Sequence, residues 1–331
     1  MTALVIRGDA RSLPLSDASV DLIVTSPPYW GQRSYTDGGE HYGAQIGAED
    51  TPAAYIRELV ECTREWMRVL KPSGSLWVNL GDKYVGAAPG SLGNAGSKTG
   101  YARSGYRDTT SAGRPKSLLG LPWRYAIGCT DGLGLILRAE IIWSKPNGLP
   151  ENVTDRVRRI HEQWFHLTKH PRYFAAIDEL RNAPSGYTRT NRAARATPKG
   201  VKPRTMTDSC NPLGSPPVSV WEIATEPLDV PDHLGVDHFA AFPTEWPRRI
   251  IRGWSPAGGV IVDPFGGTGT TALVASALGR TGISVDMSAD YCRLARWRTT
   301  DPAQIAKALG VEKPPSQLIG QTDLLSLMEI R

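Results

Sequence analysis

The segment Thr25-Ser26-Pro27-Pro28-Tyr29-Trp30 has residue types and spacing suited to chemistry on an amine. It follows an apolar run, Val20-Asp21-Leu22-Ile23-Val24, and prolines cannot continue a central strand, so the chain must leave a sheet there. An amine attached to a heteroaromatic ring is a poor nucleophile because its lone pair is delocalised. To attack a sulfonium methyl group it must be held with its hydrogens engaged. A serine hydroxyl and a peptide carbonyl can accept those two N–H bonds. The prolines stiffen the turn and add no competing donor. Tyr29 offers a face on which a base can stack, worth about 1–3 kcal/mol. Once ionised, serine is too basic to act as an effective base at neutral pH. Methyl transfer is therefore expected first and proton loss second, with the protein supplying position and electrostatics. The plain alternative for Pro-Pro-Tyr is a polyproline recognition loop. Its place at the end of an apolar strand argues against that.

A second constellation, Asp263-Pro264-Phe265-Gly266-Gly267-Thr268-Gly269-Thr270-Thr271, follows the apolar run Val260-Ile261-Val262 and opens a helix. Glycines let a backbone approach a ligand closely, and a helix N-terminus offers free amides to a carboxylate or phosphate. Asp286 ends the next strand, where a carboxylate can accept both hydroxyls of a ribose. An ATP-type phosphate loop is excluded, because no Lys-Ser/Thr follows the last glycine. The spacing satisfies a loose dinucleotide fingerprint, so alone it leaves nicotinamide and S-adenosylmethionine both open. Asp263 favours the latter, since a carboxylate suits a cationic amino acid and repels a pyrophosphate. A plain tight turn between strand and helix is the structural alternative.

Composition narrows the class. The chain has 331 residues, 40% hydrophobic and 21% charged, as in an ordinary globular protein. No apolar run approaches the roughly 20 residues that span a bilayer, so no membrane partner is expected. Met1-Thr2-Ala3-Leu4-Val5-Ile6 reads as a strand, not a signal peptide. Cys62, Cys129, Cys210 and Cys292 form no paired motif, and His161 and His166, five apart, do not share a helix face. Reduced thiols in the cytoplasm and no metal site are the expectation. Net charge is +5, concentrated between Ser144 and Arg204, where 13 Lys/Arg stand against 5 Asp/Glu. Arg181 to Arg204 holds 7 basic residues and no acidic one. Such a patch fits polyanion binding through phosphate contacts, the alternative being a solvated loop.

The elements that must position these residues follow from pattern. Leu4-Val5-Ile6, Val20–Val24, Ser75–Leu80, Ala139–Trp143, Val260–Val262 and Gly282–Val285 read as strands. Thr51–Leu70, Leu118–Cys129 (despite Pro122), Thr244–Trp254, Thr270–Leu278 and Ser288–Arg298 read as helices. Trp164–Thr168 and Tyr173–Ala176 resemble two strands of a hairpin, and regular structure returns at Val218–Trp221 after a polar, proline-rich stretch. Residues 85–116 read as a long loop of the kind that is functional or disordered. Asp9 and Ser26 both sit at carboxyl ends of strands, where open α/β sheets gather ligands.

With both constellations in view, the chain resembles the β-class of amino DNA methyltransferases, in which the catalytic Pro-Pro-Tyr motif precedes the cofactor glycine motif in circularly permuted order. The resemblance extends to Val5–Asp9, to His238-Phe-Ala-Ala-Phe242-Pro243-Thr244, to Trp77–Asp82 and to Ile141–Asn147, covering about two-thirds of the chain. It implies a Rossmann-like α/β fold with a mostly parallel seven-stranded sheet and an inserted target-recognition region. The implied division is 1–143 catalytic, with a mobile loop at 85–116; 144–235 target recognition; 236–300 cofactor binding; and 301–331 a tail. The implied cofactor is S-adenosyl-L-methionine, with Asp286 on the ribose, Asp9 on the adenine edge and Asp263 with Thr270 at the methionine end. Phe242, Thr244, Phe265, Gly267 and Gly269 complete the cofactor site, and Ser26, Pro27, Pro28 and Tyr29 the catalytic one. Double-stranded DNA is the implied partner, a cognate restriction endonuclease a further one, and the chain a monomer or homodimer in a bacterial, archaeal or phage setting. Serine at the first motif position is commoner among cytosine-N4 enzymes than adenine-N6 enzymes, which favours cytosine N4. A carbon-5 mechanism is disfavoured, since no cysteine follows a proline.

Overall fold

Eight strands form the main sheet of the computed structural model, which describes residues 2–31, 36–37, 40–41, 45–86, 112–148, 150–182, 211–236 and 241–311. They are β1 Thr2–Arg7, β2 Val20–Thr25, β3 Leu70–Leu80, β4 Ile136–Ser144, β5 His161–Thr168, β6 Val220–Glu222, β7 Val260–Asp263 and β8 Thr281–Asp286. Their spatial order is β1-β8-β7-β2-β3-β5-β4-β6. The first five run parallel to one another. β5 is antiparallel to both β3 and β4, and β6 pairs parallel with β4. The α/β class and the mixed, mostly parallel sheet agree with expectation, but the strands number eight, not seven. The addition is β6, a three-residue edge strand with only its central Trp221 buried.

Among the described residues six α-helices cover the faces: α1 Pro52–Val69, α2 Leu121–Leu133, α3 Glu245–Trp254, α4 Thr270–Ala277, α5 Ala289–Thr300 and α6 Pro302–Leu309. The Thr51 side chain caps α1 by accepting from the Ala54 amide at 3.1 Å. Pro122 is accommodated because it sits in the first turn of α2, where its missing N–H costs nothing. Neighbouring residues of β2 serve opposite faces. Ile23 joins the core that holds Leu59 and Trp66 of α1 and Tyr125 of α2. Leu22 and Val24 join the core that holds Trp246 and Trp254 of α3 and Leu273 of α4. In that second core Trp246 stacks between Trp164 and Trp221, both ring centroids 4.9 Å away.

Two expectations are corrected. Tyr173–Ala176 is no strand, and β5 pairs with β4 instead. The Phe174 and Ala176 amides donate to the Ser73 and Gly253 carbonyls, and Tyr173 packs edge-on against His166. Residues 302–309, expected to be part of a weakly patterned tail, form α6, capped by Asp301 and started by Pro302. Residues 87–111 of the long loop 85–116 lie outside the described residues, and its ends meet where the Lys116 amide donates to the Val85 carbonyl at 2.9 Å. The basic stretch 183–210 and residues 312–331 also lie outside them.

The topology has one consequence for chemistry. The carboxyl ends of β1, β8, β7, β2 and β3 emerge on one edge of the sheet. Because β5 runs the other way, its amino end reaches that same edge, with Gln163 opposite Leu80.

Candidate active site

Ser26 to Tyr29 leave the carboxyl end of β2 and are pinned from several sides. Tyr55 of α1 donates its hydroxyl to the Pro28 carbonyl at 2.9 Å. The buried Trp30 indole donates to the Glu49 carbonyl at 2.7 Å, and the Gly31 amide donates to the Gly47 carbonyl at 2.8 Å. The Tyr29 ring lies against Gly81, just beyond β3, where an added Cβ would stand 2.5 Å from Tyr29 Cε2.

Three residues that sequence reasoning did not single out as functional complete this cluster. Asn79, buried in β3, presents its amide oxygen 3.3 Å from Ser26 Oγ and 2.8 Å from the Tyr29 hydroxyl. Its amide nitrogen donates to the Gln163 carbonyl, which fixes that orientation. Glu162 of β5 places Oε2 2.8 Å from the same Tyr29 hydroxyl, and its Oε1 is ion-paired with Lys145 just after β4. Lys145 also lies over the Trp143 ring, 4.2 Å from its centroid. Burial first, and the Glu162 carboxylate second, push the Tyr29 phenol well above its usual range, so it stays protonated. A polar Asn79 inside an otherwise buried strand was the available signal.

The glycine turn occupies the end of β7, next to β2 in the sheet. Asp263 is buried, accepting from the Thr271 hydroxyl at 2.9 Å and the Phe265 amide at 3.1 Å. Burial outweighs these bonds and pushes its carboxyl up to about 7. Thr271 Oγ lies 3.2 Å from the Val24 carbonyl, two residues before Ser26, which ties the two motifs together. Gly266 packs so tightly on β8 that a Cβ would lie 1.9 Å from Ser284 Oγ. Gly269 adopts φ +75° over Ala295 and caps α4. Phe265 meets Trp66 edge-on at 5.9 Å. Asp286, at the end of β8, accepts from the Gly267 amide at 2.8 Å and the Ser288 amide at 2.9 Å.

Around this turn stand the remaining expected residues. Thr244 donates through its amide and its hydroxyl to Glu226 Oε2, at 2.9 and 3.0 Å, and Glu226 is ion-paired with Lys307 of α6. Phe242 lies edge-on to Trp164 at 5.8 Å. Asp9, beyond β1, is clamped by Arg11, whose Nη2 lies 2.7 Å from Oδ2. The Thr270 hydroxyl faces inward, accepting from the buried Arg298 at 2.6 Å. Glu226, Arg11 and Arg298 had no local sequence signal. Among the described residues no group of three or more His, Cys, Asp or Glu is placed to hold a metal, and no helix is long and apolar enough to cross a membrane.

A family model described as DNA methylase, of the N6/N4 type, matches residues 20–296, spanning both motifs. The chain belongs to the N6/N4 DNA methylase family. This methylase is 37% identical over 297 residues to the type II methyltransferase M.SmaI of Serratia marcescens, covering 89% of each chain. It is 34% identical to the type II methyltransferase M.Cfr9I of Citrobacter freundii, covering 88% of this chain and 86% of the relative. Among solved structures it superposes on PvuII DNA methyltransferase (cytosine-N4-specific) with a TM-score of 0.63, at 20% identity over 94% of this chain and 95% of that one. It also superposes on a DNA modification methylase of Thermus thermophilus, TTHA0409, complexed with S-adenosyl-L-methionine. That match has a TM-score of 0.52, at 26% identity over 93% of this chain and 96% of that one. The methylase is an S-adenosyl-L-methionine-dependent enzyme acting on DNA. Its residues fit that cofactor. Gly267, at φ +48°, has open space where a Cβ would stand, with only the Phe265 carbonyl within 4 Å, and the N-terminus of α4 opens beside it.

Proposed function

We propose that this methylase transfers a methyl group to the exocyclic N4 amine of a cytosine flipped out of double-stranded DNA. The serine at the first motif position favours cytosine, and one observation carries the amine chemistry. Ser26, at the first position of its motif, lies within hydrogen-bonding distance of the Asn79 amide oxygen. With its proton directed there, the Ser26 oxygen is left to accept an N–H of the target amine. The carbonyls of the proline pair supply the second acceptor, and Tyr29 supplies the stacking face. S-adenosyl-L-methionine supplies the methyl group as an electrophilic sulfonium. Ser26 and the proline turn orient the amine while its lone pair is freed from the ring, and the nitrogen loses its proton only after it has become cationic.

The cofactor roles follow the same reading. Asp286 holds the ribose, Asp9 the adenine edge, and Asp263 with the Thr270 end of α4 the methionine portion, with Phe242, Thr244, Phe265, Gly267 and Gly269 around them. The span 144–235, apart from β5 and the catalytic-cluster residues Lys145 and Glu162, carries target recognition between the catalytic part, 1–143, and the cofactor part, 236–300. The relatives' description as type II methyltransferases supports a cognate restriction endonuclease as a partner of this system.

The deciding experiment is mass spectrometry of nucleosides from mixed-sequence DNA incubated with the enzyme and labelled cofactor. Label in N4-methylcytosine is the expected result. Label in N6-methyladenine would overturn the choice of base, and no label in any nucleoside would overturn the catalytic reading.

A further inference from the structure

Arg298 is 2% exposed and forms no ion pair among the described residues. Its partners are neutral. Nη1 donates to Thr268 Oγ at 2.8 Å and to Thr270 Oγ at 2.6 Å, and Nε donates to the Gln304 side-chain oxygen at 3.1 Å. Glu226, the carboxylate whose field reaches it, is already engaged by Thr244 and Lys307. A charge taken out of water without a counter-ion is costly, and neutral hydroxyls compensate only part of that cost. Burial lowers the Arg298 pKa to about 10, which still leaves it charged at neutral pH.

The position of this charge is informative. Thr268 and Thr270 flank Gly269, the residue that caps α4, so the guanidinium sits behind the same turn that offers the helix's free amides. Both threonine oxygens accept from Arg298, so their protons must point elsewhere. The two hydroxyls are 3.2 Å apart, and one can donate to the other. The chain Arg298–threonine–threonine then leaves one threonine O–H to donate beyond the pair, polarised by a full positive charge.

We infer that Arg298 is a positioning residue that recognises the α-carboxylate of the cofactor, acting through Thr268 and Thr270. The inference rests on the reading above, that the glycine turn receives the methionine end. Gln304 belongs to α6, so the helix following the methyltransferase core helps to aim Arg298.

The test compares two ligands that differ only in the carboxylate, S-adenosylmethionine and its decarboxylated form, by calorimetry on the full chain. Arg298→Gln keeps hydrogen-bonding capacity without charge, and Arg298→Lys keeps charge without the planar fork. The expected result is an affinity loss of about tenfold for S-adenosylmethionine in Arg298→Gln, with the decarboxylated ligand changed less than about twofold. Arg298→Lys should recover part of the loss. Equal weakening of both ligands would overturn the inference, because a mere strut between α5 and the turn predicts that. Unchanged affinity for both would overturn it too. Thr268→Val with Thr270→Val provides a second route if Arg298→Gln does not fold, with the same ligand-selective loss expected and equal losses counting against it. If the unaltered enzyme itself binds the two ligands equally, the placement of the methionine end fails, and the inference with it.

Discussion

Tyr29 and Glu162 lie 133 residues apart in sequence, yet the phenol oxygen is 2.8 Å from Glu162 Oε2. The same oxygen is 2.8 Å from the amide oxygen of Asn79, so one proton faces two acceptors. The carboxylate, paired with Lys145, is the stronger acceptor. With Tyr29 donating to Glu162, the Asn79 oxygen is free to receive the Ser26 proton. Glu162 thus helps set the direction in which Ser26 presents its lone pairs.

Glu162→Gln should therefore lower kcat by about tenfold while leaving the cofactor dissociation constant within about twofold. Single-turnover methylation at saturating DNA and cofactor measures the first, and calorimetry the second. An unchanged rate would show that the Tyr29–Glu162 contact only braces the fold.

Gly81→Ala probes the same ring sterically. The new Cβ would stand 2.5 Å from Tyr29 Cε2, while bonds to Asn79 and Glu162 hold the other end of the ring. The ring must shift by a fraction of an ångström or more, and misplacement on that scale costs about tenfold to a hundredfold in rate. Cofactor affinity should stay put, because the substitution lies away from the glycine turn. A full rate in Gly81→Ala would mean that the position of Tyr29 is unimportant for catalysis.

What could be read in the sequence was local. Ser26–Tyr29 and Asp263–Thr271 are short motifs whose strand, turn and helix context is written in adjacent residues. Glu162 was not legible, because it reaches the site only when β5 pairs antiparallel with β3, a contact that no local period reveals. Tyr173–Ala176 looked like a strand because aromatic residues recur there. Tyr173 instead packs on His166, while the amides of Phe174 and Ala176 donate to the carbonyls of Ser73 in β3 and Gly253 in α3, with no ladder of strand pairing. Helix α6 was missed for a different reason. It is short and alanine-rich, and it is held by tertiary contacts such as Arg248, which donates to the Lys307 and Ala308 carbonyls at its end.

Ser26→Ala and Asp286→Ala should separate the two halves of the site. Removing the Ser26 hydroxyl removes an acceptor for the target amine, so methyl transfer slows with little change in cofactor affinity. Removing the Asp286 carboxylate takes away the group that orders the Gly267 and Ser288 amides, and cofactor binding should weaken by about tenfold or more. Titration of each variant with cofactor, paired with rates at saturation, reads both effects. A large rise in the Ser26→Ala dissociation constant with an unchanged rate would reverse the assignment.

Asp263 gives a prediction in pH. Burial raises its carboxyl from 3.8 to about 7, against the pull of the Thr271 hydroxyl and the Phe265 amide. Between about pH 4 and 7 the folded protein therefore keeps a proton that the unfolded chain has released. The stability this group contributes is full below the unfolded value and is lost as pH rises through about 7. Asp263→Asn cannot ionise, so without cofactor it should gain on the unaltered enzyme as pH rises from about 4 to about 8. The change in the difference should be on the order of a few kcal/mol. Denaturant midpoints of both proteins at the two pH values measure it, and the subtraction removes every group that titrates alike in both. A stability difference that stays constant across that range would mean that Asp263 is ionised throughout, held by its hydrogen bonds against the cost of burial.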